Sequence, residues 1–497
     1  MRRAEGEAPC PEARGPALWV ALAQYGVLGL LIALLVTFTG TVLGAERFPD
    51  LLGGVLLAGF LGLLVLLFGP TRLTTALFLV SMLLFHQHLS VFIVPAGGVE
   101  WHPRELLLFL FLAHAAVQLV ARRVSLWEDP VHFYMAVYLG FYVLTGAVGL
   151  THQYVLQEII EECRYPVFLA SYPALLVCVR GRQEIFAYSR LVCLVTVLVA
   201  AASVLFFLYT LTLGSVINVQ NAYGAFVQRQ VGPLLLQSVR ANGHMYFEIG
   251  LVMLVSLLAC PAVRLRRKVL YAGVCVLFAA AIVITMMRTA YVAVGLSLAL
   301  LVLLSLPSAL RRVALFAGTF TVSVVLVVFG LALYETIQAA LPDVEVSLKG
   351  RTVEMAGAWE EFVAHPLVGV GMGRSFEAFG YVAKTSELSY AQSEYQTLHN
   401  VWMYFLFKGG LAGMLLAVVG LVGLGLRGVQ LVDRLQDPFE RFYARGLAAA
   451  FAGQLVASLA MPRLTYPQGH VFVAMVAVAF LWLARQPAPL PPAASAD

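Results

Sequence analysis

Charged and imidazole side chains are scarce in this chain, and the few that interrupt apolar sequence say most about its chemistry. Arg288 is the one charge in the run 269–306. Such a residue either serves function or snorkels to anchor a helix end, and its isolation favours function. Arg240 and His244 stand together at the start of another apolar run. There a substrate contact competes with a helix-end arginine and a structural interface histidine. Glu158, Glu161 and Glu162 form either a carboxylate cluster or a solvated helix face, and the solvated face is the simpler reading. His86, His88, His102, His114, His132, His152 and His470 sit within or at the ends of apolar runs, where structural roles suffice. The remaining reactive types concentrate in residues 349–413: Arg351, His365, Arg374, and then His399 with Asn400.

Some chemistries lack their residues altogether. The chain has no Asp-x-Asp, no Gly-Lys-Ser/Thr phosphate loop and no His-Glu-x-x-His. Divalent-metal sugar-nucleotide transfer, ATP hydrolysis and zinc proteolysis therefore have no sequence support. Six cysteines at 10, 163, 178, 193, 260 and 275 show no metal or disulfide spacing. Gly369-x-Gly371-x-Gly373 lies outside any strand–helix unit, so it reads as a turn between loop helices rather than a dinucleotide site. Nothing suggests nucleic-acid binding.

The elements that must position these residues are membrane helices. With 61% hydrophobic and 12% charged residues over 497 and a mean hydropathy of +0.87, the chain is polytopic and all-α. Apolar runs near 17–40, 51–69, 73–94, 104–121, 131–150, 165–179, 185–213, 241–260, 269–287, 289–306, 313–334, 399–426, 446–461 and 468–484 predict 12–14 spans. The first is expected to be an uncleaved span. Arg264 to Lys268, Arg311, Arg312 and the arginines from 427 to 445 fall in alternate connections, which assigns those connections and both termini to the cytoplasm. The organisation is then a tail at 1–16, spans within 17–334, an external loop at 335–397, spans within 398–484 and a tail at 485–497. That loop holds four basic against nine acidic residues. A single helix over 269–306 would be about 57 Å long, roughly twice the hydrocarbon thickness, so this run is two spans with Arg288 at the external tip.

The loop also carries a pattern. Arg351, Trp359, His365-Pro366-Leu367-Val368-Gly369-Val370-Gly371, His399-Asn400, and Gly410 with Gly413 resemble the O-antigen ligase family, which includes related polysaccharide polymerases and protein oligosaccharyltransferases. The resemblance extends to the polytopic layout and to Arg288 followed by an apolar span. It implies a GT-C-like, metal-independent, inverting glycosyltransferase of the bacterial inner membrane, without cofactor and facing the periplasm. The donor would be a glycan on undecaprenyl diphosphate, and the acceptor a hydroxyl of lipid A-core or another glycan, with membrane lipids around both. A lipid-linked glycan transporter is the competing class; it would place charges deep within several spans along a path.

On this resemblance Arg288 and Arg351 stabilise the departing diphosphate, because guanidinium grips phosphate oxygens bidentately. His399 is the general base, in the first turn of a helix capped by Thr397, where the helix dipole keeps the ring neutral. Alternatively, His399 only orients the acceptor or bonds the diphosphate. Arg240, His244, Arg374 and Asn400 are the substrate-binding candidates. Gly410 and Gly413 permit close helix packing. Arg288→Lys and Arg351→Lys keep the charge but lose the fork, so transfer assays should show a strong fall at both positions. Near-normal turnover would reduce the two arginines to generic electrostatics.

Overall fold

Apolar runs of about twenty residues fold as helices because lipid offers no partner to backbone polar groups, and a helix satisfies them internally. A computed structural model of the protein describes residues 70–84, 94–96, 99–101, 103–121, 129–213, 224–231, 234–241, 243–306, 342–384, 387–395 and 398–485. The expected spans near 17–40, 51–69 and 313–334, and both tails beyond these limits, lie outside the described residues. In chain order the structure gives α1 (Pro70–Leu84), β1 (Val94–Ala96), β2 (Val99–Trp101), α2 (Pro103–Ala121), α3 (Pro130–Thr151) and α4 (Leu156–Cys163). A 3-10 turn (Pro166–Ala170) leads to α5 (Ser171–Cys178), α6 (Arg182–Leu213), β3 (Gly224–Val231), β4 (Leu234–Ala241), α7 (Met245–Leu258), α8 (Leu265–Ile284) and α9 (Arg288–Ser305). The last part holds α10 (Pro342–Ala364), β5 (Phe376–Lys384), β6 (Glu387–Tyr395), α11 (Val401–Arg434), α12 (Pro438–Ala457) and α13 (Pro467–Ala484).

Among the described residues five helices, α3, α6, α8, α11 and α13, are long and apolar enough to cross a bilayer. The expected span near 165–179 is instead broken. Its 3-10 turn and eight-residue helix rise only about 20 Å, less than the roughly 30 Å of hydrocarbon. The expected break at 285–287 is present: Thr285 ends α8, Met286 takes a φ of 50°, and α9 opens at Arg288. The two helices do not pair along their length as a hairpin; α8 packs on α7 and α9 on α12. The segments between helices add antiparallel hairpins, with Gly224 opposite Ala241 in one and Phe376 opposite Tyr395 in the other. The glycine turn thus connects a helix to a strand, not two loop helices.

Contacts divide the chain into two units, 1–126 with 170–191, and 127–169 with 192–497. In the first, Phe78 stacks on Phe111 at 4.9 Å and Arg72 pairs with Glu184 at 3.1 Å. The second holds every candidate residue. Its axis is α13, whose apolar window is 83% buried against 22% for α6 and α8. Leu194, Leu198, Val269 and Val276 point outward from those two helices, the orientation of lipid-facing side chains. Small residues bring α12 close to its neighbours: a side chain at Gly446 would strike Ser256 of α7, and one at Gly453 would strike Ser297 of α9.

The glycine turn is stitched into a kink of α11. Gly410 has φ 59° and ψ −157° inside that helix, a region open in practice only to glycine. Val370 N–H donates to Phe407 O at 3.0 Å and Gly371 N–H to Lys408 O at 2.9 Å. In return Leu411 N–H donates to Pro366 O at 2.8 Å and Ala412 N–H to Leu367 O at 3.0 Å. In an uninterrupted helix Leu411 would bond Phe407, and Ala412 would bond Lys408. The turn therefore takes over both sides of two helical bonds. On its far side Met372 N–H donates to Thr145 O of α3 at 2.9 Å. Gly413 meets the Phe141 ring of α3 and does serve helix packing; Gly410 serves the kink. Gly410→Ala adds strain of about 1–3 kcal/mol and drives a Cβ to 2.5 Å from the Leu367 carbonyl carbon. Thermal unfolding of the purified protein should show a clearly lowered midpoint, and an unchanged midpoint would contradict the interlock.

Candidate active site

His399 stands just before α11, and a carboxylate from another helix fixes its ring. Glu354 of α10 accepts from His399 Nδ1 at 2.9 Å through Oε2, and from the His399 backbone N–H through Oε1. The Glu354 side chain is 3% exposed and that of His399 is 54% exposed, so a buried acid orients a ring that faces solvent. With Nδ1 donating, Nε2 carries the lone pair and points away from the carboxylate. Arg351 lies half-buried on α10, one turn before Glu354 and hence on the same face.

The helix cap differs from the expectation. Asn400 is the N-cap of α11: its Oδ1 accepts from Trp402 N at 3.0 Å and Met403 N at 3.1 Å, while Thr397 lies outside the described residues. His399 therefore precedes the helix rather than occupying its first turn. The Glu354 carboxylate, rather than a place in the first helical turn, orients the His399 ring. Asn400 spends its side-chain oxygen on the cap. Arg374 is exposed and pairs with Glu361 at 3.1 Å.

Glu162 corrects the solvated-face reading of its cluster. It is buried, accepts from Lys408 Nζ at 2.8 Å, Tyr404 Oη at 2.9 Å and Gly373 N at 2.8 Å, and so clamps the end of the glycine turn to α11. A buried carboxylate demands such partners. Glu161 is exposed and Glu158 half-exposed. Burial pushes the neighbouring Cys163 thiol up, and its Sγ lies 3.2 Å from Met372 Sδ. None of the five described cysteines forms a disulfide.

The remaining candidates meet around the connection between α12 and α13, residues 458–466. Val401 N–H donates to Ser458 O at 2.9 Å. Thr289, next to Arg288, donates through Oγ1 to Met461 Sδ at 2.8 Å. Arg463 pairs with Glu248 of α7. His244 Nδ1 donates to Ala241 O at 3.2 Å. His244 lies within electrostatic reach of Arg463 and of Arg240. His399, Arg288 and His244 thus lie on or beside elements that touch one short connector. At the other ends of the same helices, Arg427 pairs with Asp129 at 2.8 Å and Arg445 bonds Ser305 at 3.3 Å.

Residues 273–418 match the family model for O-antigen ligase. The chain carries an O-antigen ligase domain. No curated protein matches it. The match supports a glycosyltransferase-like enzyme of the ligase or related polymerase type. The O-antigen ligase match takes in Arg288, Arg351, Glu354, the glycine turn, His399 and the Gly410 kink, and leaves Arg240, His244, Glu248 and Arg463 outside it.

Sequence reasoning missed Glu354 and Glu248 and misread Glu162 as solvated. The signal for Glu354 was its spacing of three from Arg351 on a helix; for Glu248 it was a lone acid inside an apolar run. If Glu354 orients the base, Glu354→Gln should lower kcat by about tenfold to a hundredfold with little change in donor KM. Glu354→Asp should recover part of the loss in the same assay. An unchanged kcat in Glu354→Gln would leave the carboxylate a purely structural role.

Proposed function

We propose that the protein transfers a glycan from undecaprenyl diphosphate to an acceptor hydroxyl at the outer face of the cytoplasmic membrane, and that the reaction is O-antigen ligation to lipid A-core. The observation that carries this reading is the pairing of His399 with buried Glu354, which leaves a lone pair at Nε2 on a solvent-facing ring. That arrangement suits a general base.

In the proposed step Nε2 takes the acceptor hydroxyl proton as that oxygen attacks the anomeric carbon. The bond to the diphosphate breaks, and the leaving diphosphate carries away the electron pair. Arg351 and Arg288 stabilise the charge that develops there, which removes the need for a divalent ion. Attack opposite the leaving group inverts the anomeric configuration. The basic residues at the other ends of these helices, Arg264 to Lys268, Arg427 and Arg445, support an outward-facing His399 through the cytoplasmic bias of Lys and Arg.

The test is a deletion strain analysed on a lipopolysaccharide gel. A ligase deletion leaves lipid A-core uncapped while long lipid-linked chains persist. Core capped with a single repeat unit would instead identify a polymerase and overturn the ligase assignment. In vitro, His399→Ala should retain less than about a tenth of wild-type turnover while remaining folded, and EDTA should change wild-type turnover little.

A further inference from the structure

Arg463 is buried, with its side chain 4% exposed, yet only one of its three nitrogens is engaged. Nη1 donates to Glu248 Oε2 and, at 3.0 Å, to Gln454 Oε1. Nε and Nη2 are buried and have no hydrogen-bond partner among the described residues. These two donors form one edge of the guanidinium, the edge that takes two oxygens of a phosphate side-on. Burying a charged donor pair without an acceptor is unfavourable, and it persists where a ligand supplies the acceptor.

The surroundings hold this edge in place. Gln454 Nε2 donates to Glu248 Oε2 at 3.1 Å, so Glu248, Gln454 and Arg463 close a three-membered network across α7, α12 and the connector. Gly469 of α13 sits so close beneath the Arg463 carbonyl that any side chain there would displace it. Arg463 N–H donates to Met461 O at 2.8 Å, and Met461 receives Thr289, the residue after Arg288. His244 lies within electrostatic reach of Arg463 on the α7 side.

We propose that Arg463 is a phosphate-binding residue of this site, its Nε–Nη2 edge taking oxygens of the diphosphate on the lipid-linked donor. This rests on the function proposed above. The same edge could instead take the phosphate of a bilayer phospholipid, and the experiment separates the two.

The experiment measures binding of undecaprenyl diphosphate to the full-length protein in phosphatidylcholine nanodiscs, and of phosphatidylglycerol in a parallel series. Glu248→Gln combined with Arg463→Gln removes both charges together and leaves no unpaired buried ion. It should bind undecaprenyl diphosphate at least about tenfold more weakly than wild type. Arg463→Lys retains the charge opposite Glu248 and loses the fork, so it should also bind more weakly; it decides the matter should the double variant not fold. Wild-type affinity in either folded variant overturns the assignment, because a residue that only neutralises Glu248 would not affect the ligand. Loss of phosphatidylglycerol binding with unchanged undecaprenyl diphosphate binding assigns the edge to bilayer lipid and overturns the donor reading of Arg463. A wild type that does not bind undecaprenyl diphosphate removes the proposed function itself, a result distinct from a variant that binds as wild type does.

Discussion

Two helical hydrogen bonds of α11 are surrendered to the glycine turn, and most of the site depends on that exchange. A helix interrupted in lipid leaves donors and acceptors that no solvent can satisfy. Here Pro366 and Leu367 supply the missing acceptors, and Val370 and Gly371 the missing donors. The turn in its turn would be a strained, unsatisfied loop without the helix. Neither element is acceptable alone, so they fix each other, and the Glu162–Lys408 pair locks the end of the turn at Gly373. The first turn of α11, with His399 in front of it, is therefore positioned by backbone bonds rather than by side-chain packing alone.

A second layer of organisation is electrostatic. Among the described residues three acids are buried in the second unit, Glu162, Glu248 and Glu354, and each has a basic or imidazole partner from an element distant in sequence. Buried pairs of this kind add little net stability, but losing one partner is costly because it strands the other. They specify which helix ends meet. Lys408 ties α4 to α11, Arg463 ties α7 to the α12–α13 connector, and His399 ties α10 to the start of α11.

How much of this was legible in the sequence follows from what periodicity and composition report. The helices, the break before Arg288 and the turn character of the Gly369–Gly373 run were readable, because each has a local cause: run length, excess length over the bilayer, and glycine spacing. The long-range partners were not. Nothing near Glu162 in the chain announces Lys408, 246 residues later, so an acid in a short polar helix read as solvated. Thr397 and Asn400 are both good caps, and only the structure shows Oδ1 of Asn400 on the amides of α11. The strand hairpins were missed because polar and aromatic residues mixed in a loop carry weak alternation. Glu354 shares a helix face with Arg351, but only the structure shows His399 opposite it.

The β5–β6 hairpin begins three residues after Gly373 and ends four before His399. Gly373 is held by Glu162, and His399 by Glu354. With both of its feet pinned, the segment between them works as an exchangeable cassette: its length and side chains can diverge while the imidazole stays where it is. Changes within that segment are thereby uncoupled from the placement of the ring.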